Sequence, residues 1–360
     1  MKLINLFDFE KASEAVISRG LWDFIAGGAD DEITLRRNRT AFEQISLSPR
    51  FLLDVNNLDT STTVLGSKIK LPLMISPTGA LKHVHIDGDL AVARAAEQMD
   101  TVMIVATNAN YTIEEISDAT MSPLWFQLYH YDDDTTIDLV TRTTSAGYRA
   151  ICVTVDSGPS LGKQRDIHND FSLDPNIGMA NINSRKHLES ELFQNAKQFH
   201  PHGSLRSKNI FTWSKIEWLR SITSLPIILK GIMSPEDAIM AADHGVEGII
   251  VSNHGGRPWD GLPSTIEILP RIADSVDDRM EIYLDSGIRR GLDIFKAVAL
   301  GARAVMIGRP IFWGLSLNGR DGVCSVLEML QTEFSRAMAC CGVNSISEIN
   351  NSHVLNPFDN

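Results

Sequence analysis

Long apolar runs are missing from this chain of 360 residues. No stretch approaches the roughly 18 uninterrupted apolar residues that a membrane-spanning helix needs. The N-terminus, MKLINLFDFEKASEAV, alternates charged and apolar residues where a secretory signal would hold a continuous apolar core. No membrane partner is therefore expected. Cysteine is scarce: Cys152, Cys324, Cys340 and Cys341 show neither CxxC spacing nor a disulfide framework, which favours packing roles in a reducing, cytoplasmic setting. Basic charge is also short. With 33 Lys and Arg against 45 Asp and Glu, the net charge of −12 repels a phosphate backbone, so nucleic acid is not an expected partner. The pairs His83/His85 and His200/His202 lack a third ligand at useful spacing and are expected on surface loops, with no metal.

What is present is a rhythm. Short apolar or β-branched runs recur at 73–77, 102–106, 124–128, 149–155, 226–230, 247–251, 281–285 and 304–308, separated by helix-period segments such as 87–98 and 234–245. The latter opens on a Ser cap, a Pro and two acids, and Gly245 closes it. Alternating strands and helices favour a parallel sheet, and eight such units close a (β/α)8 TIM barrel. A doubly wound open sheet is the alternative. About 75 residues separate Val155 from Lys230, which implies a long insertion after strand 4, at about 160–210. It could be a lid or a surface excursion. Residues 1–70 form an N-terminal helical extension before the barrel proper at 71–345. The segment FTWSKIEWLR at 211–220 suits a helix face packed on the barrel.

In such a barrel the active site lies at the C-terminal ends of the strands. Those ends are polar here: Pro77, Thr78 and Gly79; Ala106 to Asn108; Gln127 and Tyr129; Thr154 and Asp156; Lys230; Ser252, His254 and Arg257; Asp285 and Arg289; Gly308 and Arg309. A base, an acid, cations and amides converging on one mouth suit an enzyme with a small-molecule substrate. The last two ends, DSGIRRG and GRP, set glycine beside arginine at a helix start, a pattern suited to phosphate. Phosphate, lysine and the Gln127 amide together suggest flavin mononucleotide (FMN).

PTG at 77–79, FQLY at 126–129, TVD at 154–156, LPIILKGI at 225–232, SNHGGR at 252–257, LDSGIRRG at 284–291 and IGRP at 307–310 occur in that order. On these motifs the chain resembles the FMN-dependent 2-hydroxy acid oxidase and dehydrogenase family across nearly its whole length. The resemblance implies that Lys230 lies against the flavin N1 and O2 side, and that Gln127, Thr154, Ser252 and the backbone of Pro77 to Gly79 bond its edges. Ala106 stands in the same shell. Asp285, Gly287, Arg289, Gly308 and Arg309 would hold the ribityl phosphate end. His254 would be the base, oriented by Asp156; Arg257 would grip the substrate carboxylate and Tyr129 the hydroxyl oxygen. Oxygen or another electron acceptor completes the cycle, and a homotetramer is implied.

The departures from the family pattern fall on the substrate side. Phe24 replaces a carboxylate-binding tyrosine, Lys163 or Gln164 replaces a second arginine with Arg165 nearby, and Ala106 and Asn108 replace Ser and Trp. Gly79 stands where several oxidases have Ala. The expectation is retained oxidation of a 2-hydroxy acid, on an atypical substrate. An FMN barrel acting on an amine or a peptide-derived α-carbon, or a flavin-binding protein without turnover, are the competing readings.

Overall fold

The computed structural model describes residues 2–157, 163–182 and 211–358. Eight parallel strands close into a barrel in sequence order: β1 (Leu73–Ile75), β2 (Met103–Ala106), β3 (Leu124–Leu128), β4 (Ala150–Thr154), β5 (Ile227–Ile232), β6 (Gly248–Val251), β7 (Glu281–Leu284) and β8 (Ala304–Ile307). Strand β8 returns to β1 through the pairs Val305–Leu73 and Ile307–Ile75. The open-sheet alternative is excluded. Seven strands fall inside the runs expected from sequence; β5 continues two residues further, past an irregularity between Lys230 and Ile232. Gly231 makes that possible. Its φ is +112°, and a Cβ there would stand 2.7 Å from the Cβ of Asp156.

Side chains alternate across a strand, so every second residue points inward. Met74, Ile104, Trp125, Cys152, Ile228, Ile250, Tyr283 and Met306, one from each strand and staggered between neighbours, form the apolar level, all buried in one interior cluster. The other end of the tube is plugged by a hairpin of Thr62–Val64 and Ser67–Ile69, whose Val64 and Ile69 join that cluster. The backbone N–H of Leu65, at its tip, donates to Glu281 at the start of β7 (3.1 Å). The outward faces of the strands pack under the helices in a second, larger core.

The N-terminal segment forms the helices Leu6–Val16, Arg19–Ala26 and Ile33–Gln44. The first packs on the C-terminal helix Arg309–Cys341, which is broken at Asn318 and Gly319. Helix Pro235–Asp243 has the expected start, with the Ser234 side chain accepting from the Asp237 N–H. Helix Trp213–Ile222 buries Ile216 and Leu219 as its sequence suggests. Of the expected insertion, residues 163–182 contain the short helix Gln164–His168 and then irregular chain; 158–162 and 183–210 lie outside the described residues. Cys152, Cys324 and Cys341 are buried free thiols, whereas Cys340 is exposed and does not pack as expected. No helix among the described residues is long and apolar enough to cross a membrane.

Trp125 fills the centre of the tube, edge-on to Tyr283 at 5.5 Å. Trp125→Ala is expected to lower unfolding stability by about 3–5 kcal/mol. The shift of the denaturant midpoint measures it.

Candidate active site

Two residues beyond the apolar level stand Ser76, Ala106, Gln127, Thr154, Lys230, Ser252, Asp285 and Gly308, one from each strand end. The alternation that fills the barrel thus also builds a polar floor at its mouth. Above it is a cavity of about 460 Å³, lined by this floor and by the loops that follow. Lys230 is its central charge. It is 2% exposed, its ammonium donates to Ser252 Oγ at 2.9 Å, and Asp285 lies 3.1 Å away. Burial opposes the charge, yet Asp285 and Asp156 more than offset it and hold the lysine above its ordinary pKa. Lys230 therefore stays cationic. Beside it, Gln127 Nε2 donates to Thr154 Oγ1 at 2.9 Å, while Gln127 Oε1 accepts from the Thr107 N–H.

Above the floor, His254 Nδ1 and Asp156 Oδ1 are 3.0 Å apart. His254 sits in the left-handed region (φ +56°), anchored by its N–H donating to Ser252 Oγ at 3.1 Å. Two glycines follow it. A Cβ on Gly255 would meet Arg309 Nη1 at 2.6 Å, and one on Gly256 would meet the Leu35 backbone at 2.8 Å. Tyr129 faces the same space, and burial, with Asp156, pushes its phenol up to about 12. It remains a proton donor near neutral pH.

Three guanidiniums surround the cavity. Arg257 donates to the carbonyls of Phe24 (2.8 Å) and Ile25 (3.2 Å), at the C-terminal end of helix Arg19–Ala26. Arg309 donates to Ile25, Gly27 and Gly255 carbonyls at 2.9–3.1 Å. Among the described residues Arg289 donates only to the Ile288 carbonyl, and it lies over the Trp313 ring at 4.8 Å. Among the described residues none of the three forms an ion pair with a carboxylate. Burial lowers the pKa of each, that of Arg289 to about 10. A cation withdrawn from water without a carboxylate in direct contact is costly; Arg289 is buried and Arg257 and Arg309 are half-buried, with Glu10, Glu32 and Asp166 acting only at longer range.

Lys163 is a fourth cation at the rim. Its ammonium lies over the Phe24 ring at 4.4 Å and 3.6 Å from Asp166; burial, followed by Arg257, depresses its pKa well below the lysine range. Phe24 also carries Arg257 on its ring, at 5.2 Å.

Against this geometry the comparisons are unambiguous. A family model described as FMN-dependent dehydrogenase matches residues 13–356. The L-lactate oxidase of Nostoc sp. is 42% identical, with 97% of each chain covered. The glycolate oxidase of Spinacia oleracea is 40% identical over 100% of this chain and 97% of its own. A crystal structure of mandelate oxidase superimposes with a TM-score of 0.88 at 37% identity, covering 96% of both chains. The chain belongs to the FMN-dependent dehydrogenase family. It is an FMN-dependent oxidoreductase that acts on the CH–OH group of 2-hydroxy acids.

The residues present fit the cofactor. Thr78 Oγ1 is buried at the cavity wall without a hydrogen-bond partner. Gly308 opens helix Arg309–Cys341, and nothing but Thr78 and Ser76 side-chain carbons approaches the place of its missing Cβ, at 3.4 Å or more. An anion at that helix start would lie beside Arg289 and Arg309, which line the same cavity; Pro310 offers no N–H there and the Ile311 N–H already donates to the Gly308 carbonyl at 2.9 Å.

Several expectations need correction. Gln164 is exposed on its short helix and outside the cavity, so Lys163 occupies the place assigned to either residue. Arg165 is committed to Glu32 (2.6 Å) and Asp23 (3.3 Å) and does not reach the substrate side. Asp285, expected among the phosphate ligands, spends its carboxylate on Lys230 and the Ser286 hydroxyl. Gly287 lines the cavity but is also a packing residue: φ is +93°, and a Cβ there would collide with the Asn38 carbonyl. His83, expected on a surface loop, lines the cavity instead. Leu173 to Met179, from the insertion, complete one cavity wall, tied down by Asn110 Nδ2 donating to the Gly178 carbonyl at 3.0 Å. No local sequence signal marks His83 or that wall.

Burial works against ionisation of Asp156, but His254 and then Lys230 more than offset it, and the carboxyl titrates below its ordinary 3.8. A depressed carboxyl contributes stability that is fully present above the unfolded-chain value and is lost as pH falls through the folded one. Asp156→Asn should therefore flatten the acid side of the stability profile below about pH 4, as followed by denaturant unfolding across that range. An unchanged acid limb would mean that the pair does not form.

Proposed function

We propose that His254 is the base that takes a proton from the substrate, with Asp156 holding Nδ1 and leaving Nε2 to face the substrate carbon. The observation that carries this reading is the 3.0 Å Asp156–His254 pair facing a cavity whose guanidiniums form no ion pair with a carboxylate among the described residues. Arg257 and Lys163 bind the substrate carboxylate, which fixes the carbon between the imidazole and the floor. Tyr129, protonated through the neutral range, donates to the hydroxyl oxygen. As His254 gains its proton, the adjacent carboxylate of Asp156 stabilises the imidazolium. FMN, when bound, supplies the two-electron acceptor. Gln127, Thr154, Lys230 and Ser252, with Ala106 and the backbone of Pro77 to Gly79, would surround its ring, where the Lys230 cation would favour negative charge. Arg289, Arg309, Gly287 and Gly308 hold its phosphate. Oxygen or another acceptor would serve as the second substrate.

The substrate departs from the simplest 2-hydroxy acids, because the hydroxyl donor that a tyrosine would place at position 24 is absent and Phe24 carries two cations on its ring instead. A lost charged hydrogen bond costs on the order of 1.5–3 kcal/mol. The free thiols suit the cytoplasm. The homotetramer remains part of this reading, and light scattering of the purified protein tests it.

His254→Asn keeps the floor intact and removes the base. Anaerobic mixing of the holoenzyme with a 2-hydroxy acid should bleach the flavin about 10²–10⁴-fold more slowly in the variant, with the oxidised flavin spectrum retained. Bleaching at the parent rate would contradict the assignment. Arg257→Met should raise KM more than it lowers kcat, because a grip on the carboxylate is felt in ground and transition states alike.

A further inference from the structure

Asn108 stands two residues beyond Ala106, the position on β2 that corresponds to Tyr129 after Gln127, Asp156 after Thr154 and His254 after Ser252. It therefore belongs to the level that faces the substrate, above the floor. Its side chain lines the cavity, yet no group among the described residues hydrogen-bonds its amide. The amide is nonetheless placed closely. A Cβ on Gly79 would stand 2.4 Å from its Oδ1 and 2.6 Å from its Nδ2, so the amide lies directly on the glycine backbone and uses the space that any larger residue would take.

His83 stands in the same wall, its ring nitrogens buried beside the backbone of Asp174 and Ala80. Burial lowers its pKa against the pull of Asp174, so the ring is neutral near pH 7 and can both donate and accept. Asp174 lines the cavity beside it and adds a carboxylate. An apolar substrate side chain entering here would strip water from the Asn108 amide and return nothing. Each such unmatched polar group costs about 1–3 kcal/mol. A second carboxylate would meet Asp174.

We propose that this wall selects 2-hydroxy acids whose side chain ends in a neutral group able to donate and accept hydrogen bonds, such as a carboxamide or hydroxyl, with Asn108 as the specificity-determining residue. The inference rests on the functional reading above. It adds the chemistry of the side chain.

The test uses a matched pair of nearly equal shape, 2-hydroxy-4-methylpentanoate and 2-hydroxysuccinamate, with 2-hydroxysuccinate as the charged member. On the holoenzyme, kcat/KM for the carboxamide should exceed that for the isobutyl compound and for the dicarboxylate by about tenfold or more, the effect of roughly one hydrogen bond. In Asn108→Leu the preference should turn toward the isobutyl compound. A second readout needs no turnover. Succinamate and 4-methylpentanoate, which lack the 2-hydroxyl, are titrated against the flavin absorbance of the holoenzyme, and succinamate should bind more tightly in the parent but not in Asn108→Leu.

Equal or better use of the isobutyl compound by the parent, or a preference untouched by Asn108→Leu, overturns the inference. If none of the three hydroxy acids bleaches the flavin, the functional reading is what fails. The order of the two non-oxidisable analogues still supports or overturns the wall.

Discussion

Positive charge drawn away from water with no carboxylate in direct contact among the described residues is the constraint on which this structure depends. The chain as a whole is acidic, with a net charge of −12, yet around one cavity it gathers Arg257, Arg289 and Arg309, whose direct partners among the described residues are carbonyls or an aromatic face, with Glu10, Glu32 and Asp166 acting only at longer range. Lys230 is different: Asp285 already balances it. That division gives the site its chemistry. The balanced lysine can sit permanently under a flat ring, whereas the unbalanced arginines call for anions from outside, one at a helix start and one beside His254. In the proposed function, a phosphate tail and a substrate carboxylate would supply the two.

The barrel makes such an arrangement tolerable. The same two-residue alternation that directs Trp125, Cys152, Ile228 and Ile250 into a dry tube directs Gln127, Thr154, Lys230 and Ser252 to its mouth and His254 and Asp156 one level higher. Polar groups therefore meet each other before they meet solvent. The hairpin at 62–69 seals the opposite end, so the floor is supported from below by apolar packing. Gly231 lets the chain bulge where Asp156 must pack, and Gly255 lets Arg309 pass beneath the catalytic loop. Helix Arg19–Ala26, outside the barrel, contributes carbonyls that hold Arg257 and Arg309 in place. The N-terminal segment is thus part of the site.

The strands and the identity of the floor were legible in the sequence because both follow from local rules: β-branched runs bounded by turn residues, and a fixed side-chain period. His254, Asp156, Lys230 and Gln127 could be named for that reason. What was not legible depends on which distant groups come together. Asp285 was assigned to the ribityl phosphate end from the family resemblance, but in space Lys230 is its neighbour across the barrel. Lys163 and Gln164 could not be separated until the short helix turned one toward Phe24 and the other to solvent. His83 looked like an ordinary loop histidine. Only the fold of 173–179 over the mouth makes it part of a wall. Long-range closure of irregular chain leaves no periodic trace.

The central claim, that unpaired guanidiniums at the mouth call for a phosphate, is tested most directly by comparing two ligands that differ in that group alone. Apoprotein titrated with FMN and with riboflavin, followed by quenching of flavin fluorescence, should bind FMN at least about 100-fold more tightly, the gain of one to two charge-assisted hydrogen bonds. The difference should shrink as ionic strength rises. Equal affinity for the two would show that the arginines do not serve a phosphate, and the account would be wrong at its base.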